Sequence, residues 1–496
     1  MPKPVVQHIA PRFHVLGPGG IGSLFAFYFH KHNIPFTFFQ RKAPPPTPLL
    51  LVNSKDNYSY SNALHDDLSN SSNVSSDTST TAPTSKIYKS YPPTTLKYMD
   101  LTSLSTKSAE PQPIDAINWE PLYPVIDKEL FRYDPAYNEL SRSPIHHLLV
   151  TTKTYQTVDA ISKIRHRLRP WSTLVLMQNG MGVQEEICEA MGWADPHERP
   201  NFVQGIISHG AQKLEDTIVH TGIGSVWIAP TAESLAGGRE GKEGEDDNED
   251  SSAPSRMKLF RSQNSQMSPK IIRPSNKIMN TPYPYNSPAR FISPYTNAPF
   301  SSFYKPLSSR KELQALRTRS LYETLSTLQL LEDSMGLKIL LPENLLALQL
   351  SKLVVNACVN PVATLLECTN GNLLDPVTDD AHQAVKDLLK ESQHILSQSK
   401  EYWDLGEDLQ QEHLTLEALT NTTINILKAT RQNRCSTLQD YLKGSQKSEI
   451  EYMNGYLIKM AERDRAPETS AESVAPFNRM VMEKIKEKFA SRTPIE

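Results

Sequence analysis

FHVLGPGGIGSLFAFYFH, residues 13–30, decides the fold. Phe13 to Leu16 reads as a short strand. Leu24, Phe25, Phe27, Tyr28 and Phe29 read as the apolar side of a helix. Between them, Gly17-Pro18-Gly19-Gly20-Ile21-Gly22 has the spacing G-x-G-x-x-G. Gly17 permits a tight turn, Gly19 lets backbone approach a pyrophosphate, and Gly22 lets the helix pack on the strand. The free N–H groups at the helix start then face the anion. The spacing alone is a weak signal. Set between a strand and a helix, it predicts an α/β Rossmann-type dinucleotide-binding domain.

The next strand, Pro35 to Phe39, ends in Gln40-Arg41-Lys42. An NAD site commonly offers an acidic residue here, about 20 residues past the glycines, to the ribose 2′-hydroxyl. A guanidinium suits a 2′-phosphate instead, so Arg41 predicts NADP. The alternative is that Arg41 is only a solvated residue at a strand end. Strands at His147–Thr151 and Thr173–Met177 lead into Thr152-Lys153-Thr154 and Gln178-Asn179-Gly180. Ligands of an open parallel sheet lie beyond the carboxyl ends of its strands, which puts Lys153 and Asn179 among the candidates. Phe202–Ser208, Thr217–His220 and Gly224–Ile228 complete the expected sheet. His146, His147 and His209 lack metal-ligand spacing and read as sheet or loop residues.

Two segments break this pattern. Residues 43–142 open on Pro44-Pro45-Pro46 and are mostly Ser, Thr, Asn and Asp over Ser69–Ser85. Residues 233–309 turn from acidic to basic and Ser/Pro-rich. Such compositions bury too little apolar surface to order themselves, so both are expected to be largely disordered inserts. The dinucleotide-binding domain is thus expected over 12–340, inserts included.

Past it the chain reads as all helix, 341–492, a substrate and dimerisation domain. Lys311–Met335 is expected as one helix before the boundary. Beyond it the stretch Leu346–Gly371, LALQLSKLVVNACVNPVATLLECTNG, is apolar except for Lys352, Asn356 and Asn360. Steps of four align those three in one stripe. Buried polar side chains need partners, which points to a polar ligand or to a helix–helix hydrogen-bond network.

The composition excludes several classes. A net charge of −3 gives no nucleic-acid footprint. Cys188, Cys358, Cys368 and Cys435 form no CxxC pair, so neither a zinc site nor a disulfide framework is expected. No continuous apolar run reaches the ~18 residues of a membrane span. The start, MPKPVVQHIAPRF, has Lys3 and Arg12 and no acid, but is short and proline-rich. A cytoplasmic location is expected, with a mitochondrial one as the alternative.

Taken together, six stretches in order resemble the NADP-dependent ketopantoate reductases (2-dehydropantoate 2-reductases). They are LGPGGIGS, the strand-end Arg41, LLVTTKTYQ, LMQNGMG, SKLVVNACVNPVATLLECTNG and NRCSTLQDYLKGSQKSEIEYMNGYL. The resemblance implies that Lys352 is the proton-donating lysine and Glu449 an acidic residue near nicotinamide and substrate. It implies substrate contacts at Asn356, Asn360, Asn370 and Ser436, and cofactor contacts at Lys153, Asn179 and Ala211. The segment from Ser436 to Glu449 is one residue longer than the family pattern, around Gly444–Lys447, so Glu449 requires a shifted loop. The expected activity is reduction of a 2-keto acid, ketopantoate in coenzyme A precursor synthesis, by NADPH. The expected partners are that small substrate and a second copy of the chain, with no nucleic acid or membrane. The competing reading is an inactive relative serving as a regulatory or binding protein, for example in mitochondrial gene expression, motivated by the inserts.

Overall fold

The computed structural model describes residues 11–40, 49–52, 94–100, 112–121, 144–214, 217–236, 309–374, 379–467, 470 and 473–492. Arg41, Lys42, the Ser69–Ser85 run and residues 237–308 lie outside them. The chain forms two compact units. The first is Met1–Thr152, Asp159–Met177 and Trp193–Ile339; the second is Lys153–Val158, Gln178–Gly192 and Leu340–Glu496. Residues 153–158 and 178–192, which the sequence reading gives to the dinucleotide-binding domain, therefore group with the helical unit.

The first unit is built on a 12-stranded sheet. Its strands are β1 (Phe13–Leu16), β2 (Phe36–Gln40), β3 (Leu49–Val52), β4 (Thr94–Asp100), β5 (Gln112–Pro121), β6 (Ile145–Val150), β7 (Leu168–Leu176), β8 (Asn201–Ile207), β9 (Gly210–Leu214), β10 (Thr217–Gly222), β11 (Val226–Pro230) and β12 (Leu337–Ile339). Their spatial order is β12-β11-β8-β7-β6-β1-β2-β5-β4-β3-β10-β9. Every pairing from β8 through β1 to β5 is parallel. The chain moves one way from β1 to β2 and the other way from β6 to β8. The order thus reverses between β1 and β6, the switch point at which such sheets bind ligands.

Val15 at the middle of β1 pairs with Phe38 and Leu149, and all four β1 residues are buried. Unbroken apolar strands of this kind suit a sheet covered on both faces. Phe25 and Phe29 of the helix Gly20–Lys31 and Leu321, Leu325 and Leu328 of the helix Arg310–Gln329 share a core with β1. The Phe13 and Phe29 rings stand 5.0 Å apart.

The structure adds to the sequence reading at two places and departs from it at a third. Residues 43–142 contribute β3, β4 and β5, and β5 pairs with β2 from Thr37↔Asn118 to Gln40↔Pro121. LLLV and PIDAINW are short β-prone runs flanking the Ser/Thr tract, and the segment's average composition hides them. β9 also went unread; it is defined by antiparallel pairing with β10 rather than by an apolar run. Finally, Lys311–Met335 is two helices, Arg310–Gln329 and Glu332–Met335, with Ser309 capping the first by accepting the Glu312 N–H.

Polar groups bind the helix Arg310–Gln329 to the sheet. The buried Arg317 guanidinium donates to the carbonyls of Pro170, Pro196, His197 and Arg199. Burial, with some repulsion from Arg199, lowers its pKa to about 10. His147 Nδ1 meets Thr324 Oγ1 at 2.8 Å, and burial pushes the imidazole down to about 3. His209 Nε2 donates to the Met335 carbonyl at 3.0 Å. Both rings are structural hydrogen-bond partners, as their sheet and loop positions predict.

The second unit is helical and packs around the helix Pro342–Leu365, with Leu350, Leu353, Val354 and Cys358 in its core. By length and composition this helix could span a membrane, but 72% of its most apolar window is buried within the fold, as expected of a core helix. Helices Asp379–Gln398, Leu416–Ala429, Asn454–Asp464 and Pro476–Ala490 surround it. Cys188, Cys358 and Cys435 are buried, and none of the four cysteines is in a disulfide.

Candidate active site

The glycine turn lies in the first unit. Gly17 has φ +106°, and a Cβ there would stand 2.7 Å from the Thr152 backbone nitrogen. Only glycine fits such a left-handed, crowded position. Thr151 Oγ1 donates to the Gly17 carbonyl at 2.7 Å and fixes the turn. Pro18, Gly20 and Ile21 are half-buried. Among the described residues, no atom beyond its own chain neighbours lies within 4 Å of where a Gly19 Cβ would be, which leaves its backbone open to a pyrophosphate. This cradle fits a dinucleotide. The structure also brings Ala211 to it: the Ala211 carbonyl oxygen is 2.7 Å from the Cβ position of Gly20. Arg41 lies outside the described residues.

The second unit holds the remaining candidates. Lys352 Nζ donates to Asn179 Oδ1 at 3.1 Å. Burial brings the Lys352 ammonium down to about 8, and the Glu449 carboxylate opposes part of that fall. Glu449 is buried. Its Oε1 accepts the Thr154 N–H at 3.0 Å and the Thr154 hydroxyl at 2.9 Å. Its Oε2 is 3.6 Å from Lys153 Nζ. Lys153 also bonds Asp440 Oδ2 at 2.6 Å. Desolvation alone would lower its pKa, but Glu449 and Asp440 outweigh it and hold Lys153 above its ordinary value.

The loop before Glu449 closes on itself. Gly444 turns with φ +84°, the Ser445 N–H bonds the Asp440 carbonyl, and Ser445 Oγ donates to the Lys447 carbonyl at 2.6 Å. Glu449 at its end reaches Thr154.

Asn360 Nδ2 lies 3.5 Å from Ser436 Oγ, which joins two of the predicted substrate residues. Cys435 caps the helix Ser436–Leu442 and also donates its thiol to the Asn360 carbonyl. Asn356, one turn before Asn360, is half-buried. Asn370 is bonded elsewhere: its carboxamide donates to Thr430 Oγ1 at 2.8 Å and its N–H to the Asn433 carbonyl. These bonds hold the loop that leads into Ser436.

Three contributors escaped the sequence reading. Asp440 takes the short bond to Lys153; its signal was its place four residues after Ser436, on the same side of a helix. Thr154 anchors Glu449 across 295 residues of chain, a pairing no local pattern reveals. Tyr452 accepts the Met181 N–H on its carbonyl at 2.9 Å, holding the turn that carries Asn179. Its hydroxyl donates to Glu186 at 2.8 Å.

A glycine cradle at the switch point of a parallel sheet, with a helical unit carrying a depressed lysine, defines a nicotinamide-dependent oxidoreductase. Two family models match the chain: "Ketopantoate reductase PanE/ApbA" over residues 120–233 and "Ketopantoate reductase PanE/ApbA C terminal" over 344–489. The chain belongs to the ketopantoate reductase family. It is 26% identical over 329 residues to a probable 2-dehydropantoate 2-reductase of Schizosaccharomyces pombe, covering 66% of this chain and 71% of that one. It is 26% identical over 333 residues to the 2-dehydropantoate 2-reductase of Saccharomyces cerevisiae, covering 65% and 69%. A ketopantoate reductase structure from Ralstonia eutropha shares the fold with TM-score 0.50 at 10% identity, covering 97% of this chain and 98% of that chain.

Proposed function

We propose that this chain reduces 2-dehydropantoate to pantoate with NADPH, a step of pantothenate and coenzyme A synthesis. The observation that carries the reading is Lys352, an ammonium depressed to about 8 and bonded to Asn179 in the unit that also buries Glu449. The names of the two yeast relatives support that substrate. Arg41 gives the preference for a 2′-phosphate.

The glycine turn would hold the cofactor's pyrophosphate, with Ala211 beside it. When bound, NADPH supplies the hydride that adds to the carbonyl carbon. Negative charge then grows on the carbonyl oxygen. The Lys352 ammonium stabilises that charge and gives its proton to the oxygen. The neutral amine left behind recovers a proton from water. A group with a pKa near 8 is charged at pH 7 yet releases its proton readily. Asn356, Asn360 and Ser436 orient the substrate carboxylate and hydroxyl without adding charge. Glu449 accepts from a substrate hydroxyl and tempers the fall in the Lys352 pKa. A chain serving only as a binding protein has no use for this set of partners.

The test is NADPH oxidation by the purified chain with 2-dehydropantoate and a panel of other 2-keto acids, beside Lys352→Ala. Turnover that drops by about 10²–10⁴ in the variant is the expected result. No oxidation with any 2-keto acid would refute the reading. NADH run in parallel tests the Arg41 assignment. A homodimer and a cytoplasmic location accompany this proposal; light scattering and cell fractionation test them.

A further inference from the structure

Pro361 lies inside the helix Pro342–Leu365. Proline has no N–H, so the carbonyl four residues earlier loses its helical donor. That carbonyl belongs to Ala357, which is fully buried. Asn454 Nδ2 donates to it at 2.9 Å. The same carboxamide nitrogen donates to Asn478 Oδ1 at 2.8 Å. Asn478 in turn donates its Nδ2 and its backbone N–H to Glu391 Oε2, at 2.7 and 2.8 Å. A buried chain of bonds, Glu391–Asn478–Asn454, thus ends on the turn between Asn356 and Asn360. The residue before Asn454 touches the same turn: Met453 Sδ is 3.7 Å from Asn360 Nδ2.

We infer that Asn454 is a positioning residue that replaces the hydrogen bond Pro361 removes, and so fixes Asn360 for the keto acid. The inference rests on the proposed role of Asn360 in substrate binding. A proline placed one residue after Asn360 removes a backbone hydrogen bond from the helical turn that carries Asn360. A side chain from a different helix supplies the donor in its place. The helix backbone could not do so alone, because its own donor is gone.

The test is a double-variant cycle in the full chain: wild type, Asn454→Ala, Pro361→Ala and both together. Pro361→Ala restores a backbone N–H four residues after Ala357, so it should make Asn454 dispensable. Two readouts are taken. One is amide hydrogen exchange of the helix segment 350–366. The other is KM against kcat for 2-dehydropantoate with NADPH. Asn454→Ala is expected to speed exchange about tenfold and raise KM about tenfold, with kcat within about twofold. The double variant is expected to return both to within about threefold of wild type. Unchanged exchange in Asn454→Ala, or no recovery in the double variant, would overturn the inference. Should Asn454→Ala fail to fold, the double variant must still fold, and its failure counts equally against the idea. A wild type that oxidises no NADPH would remove the substrate reading instead, while the exchange arm still decides whether Asn454 completes the helix.

Discussion

Replacing Lys352 by methionine should destroy turnover and stabilise the protein. A lysine ordinarily titrates near 10.5, and burial brings Lys352 to about 8. At about 1.4 kcal/mol for each factor of ten in proton affinity, holding the ammonium in place at pH 7 costs roughly 3 kcal/mol. Partial exposure and the lost bond to Asn179 trim what methionine recovers to about 2 kcal/mol. For a unit of this size that raises the unfolding midpoint by roughly 4–8 °C. The sign follows from linkage. Below pH 8 the lysine is charged in both folded and unfolded states, and the penalty is fully present. Between about 8 and 10.5 only the unfolded state keeps the proton, so wild-type stability recovers as pH rises. Above 10.5 neither state is charged. Denaturant melts of wild type and Lys352→Met at pH 7 and at pH 10 read this directly. The methionine variant should be the more stable at pH 7 and lose most of that advantage at pH 10. A variant less stable at pH 7, or an advantage that ignores pH, would refute the argument that Lys352 is held charged against its environment.

Three further outcomes follow from the same geometry. In the wild type, kcat/KM for keto acid reduction should fall as pH rises through about 8, where Lys352 loses its proton. Glu449→Gln removes the charge that supports that proton, so the alkaline limb of its pH–rate profile should move to lower pH; an unmoved limb would separate Glu449 from Lys352. Arg317→Ala strips four part-buried carbonyls of their donor and should cost about 2 kcal/mol or more in a urea melt, without changing the keto acid KM. Gly17→Ala puts a methyl 2.7 Å from the Thr152 nitrogen at φ +106°, and fluorescence titration should find NADPH affinity weakened at least tenfold.

The sequence disclosed what is encoded by short-range spacing. The glycine turn between β1 and its helix is a contiguous pattern, and the Lys352–Asn356–Asn360 stripe is a period along one helix. The parallel strands showed themselves as apolar runs because both of their faces are covered. What stayed hidden is set by pairing. β3, β4 and β5 flank a polar tract that dominates any window average, and only their neighbours in the sheet reveal them. Asp440 carries only its place four residues after Ser436 as a mark of function, and Thr154 carries none in its own surroundings. Their importance comes from meeting Lys153 and Glu449, 287 and 295 residues away. The grouping of residues 153–158 and 178–192 with the helical unit has the same origin. Those turns are tied to that unit by Lys153, Thr154, Asn179 and Met181, side chains and backbone groups whose partners the sequence order does not announce.

The two lysines show why Asp440 matters to the chemistry. Lys153 and Lys352 both lose hydration, yet one ends above its ordinary pKa and the other well below it. The difference lies in how carboxylates are shared. Lys153 donates a 2.6 Å bond to Asp440 and stands 3.6 Å from Glu449, so two negative charges hold its proton. It stays a cation through the whole range in which Lys352 titrates. Lys352 donates to the neutral Asn179 side-chain oxygen and feels the field of Glu449, which opposes part of the fall that burial causes. A carboxylate in direct contact would hold its proton too tightly for transfer at neutral pH, and no carboxylate at all would let the proton go too early. Because Asp440 makes the closer bond to Lys153, Glu449 is not consumed by that lysine and can act on both. The acid strength of Lys352 is thus set first by burial and then tempered by the Glu449 carboxylate.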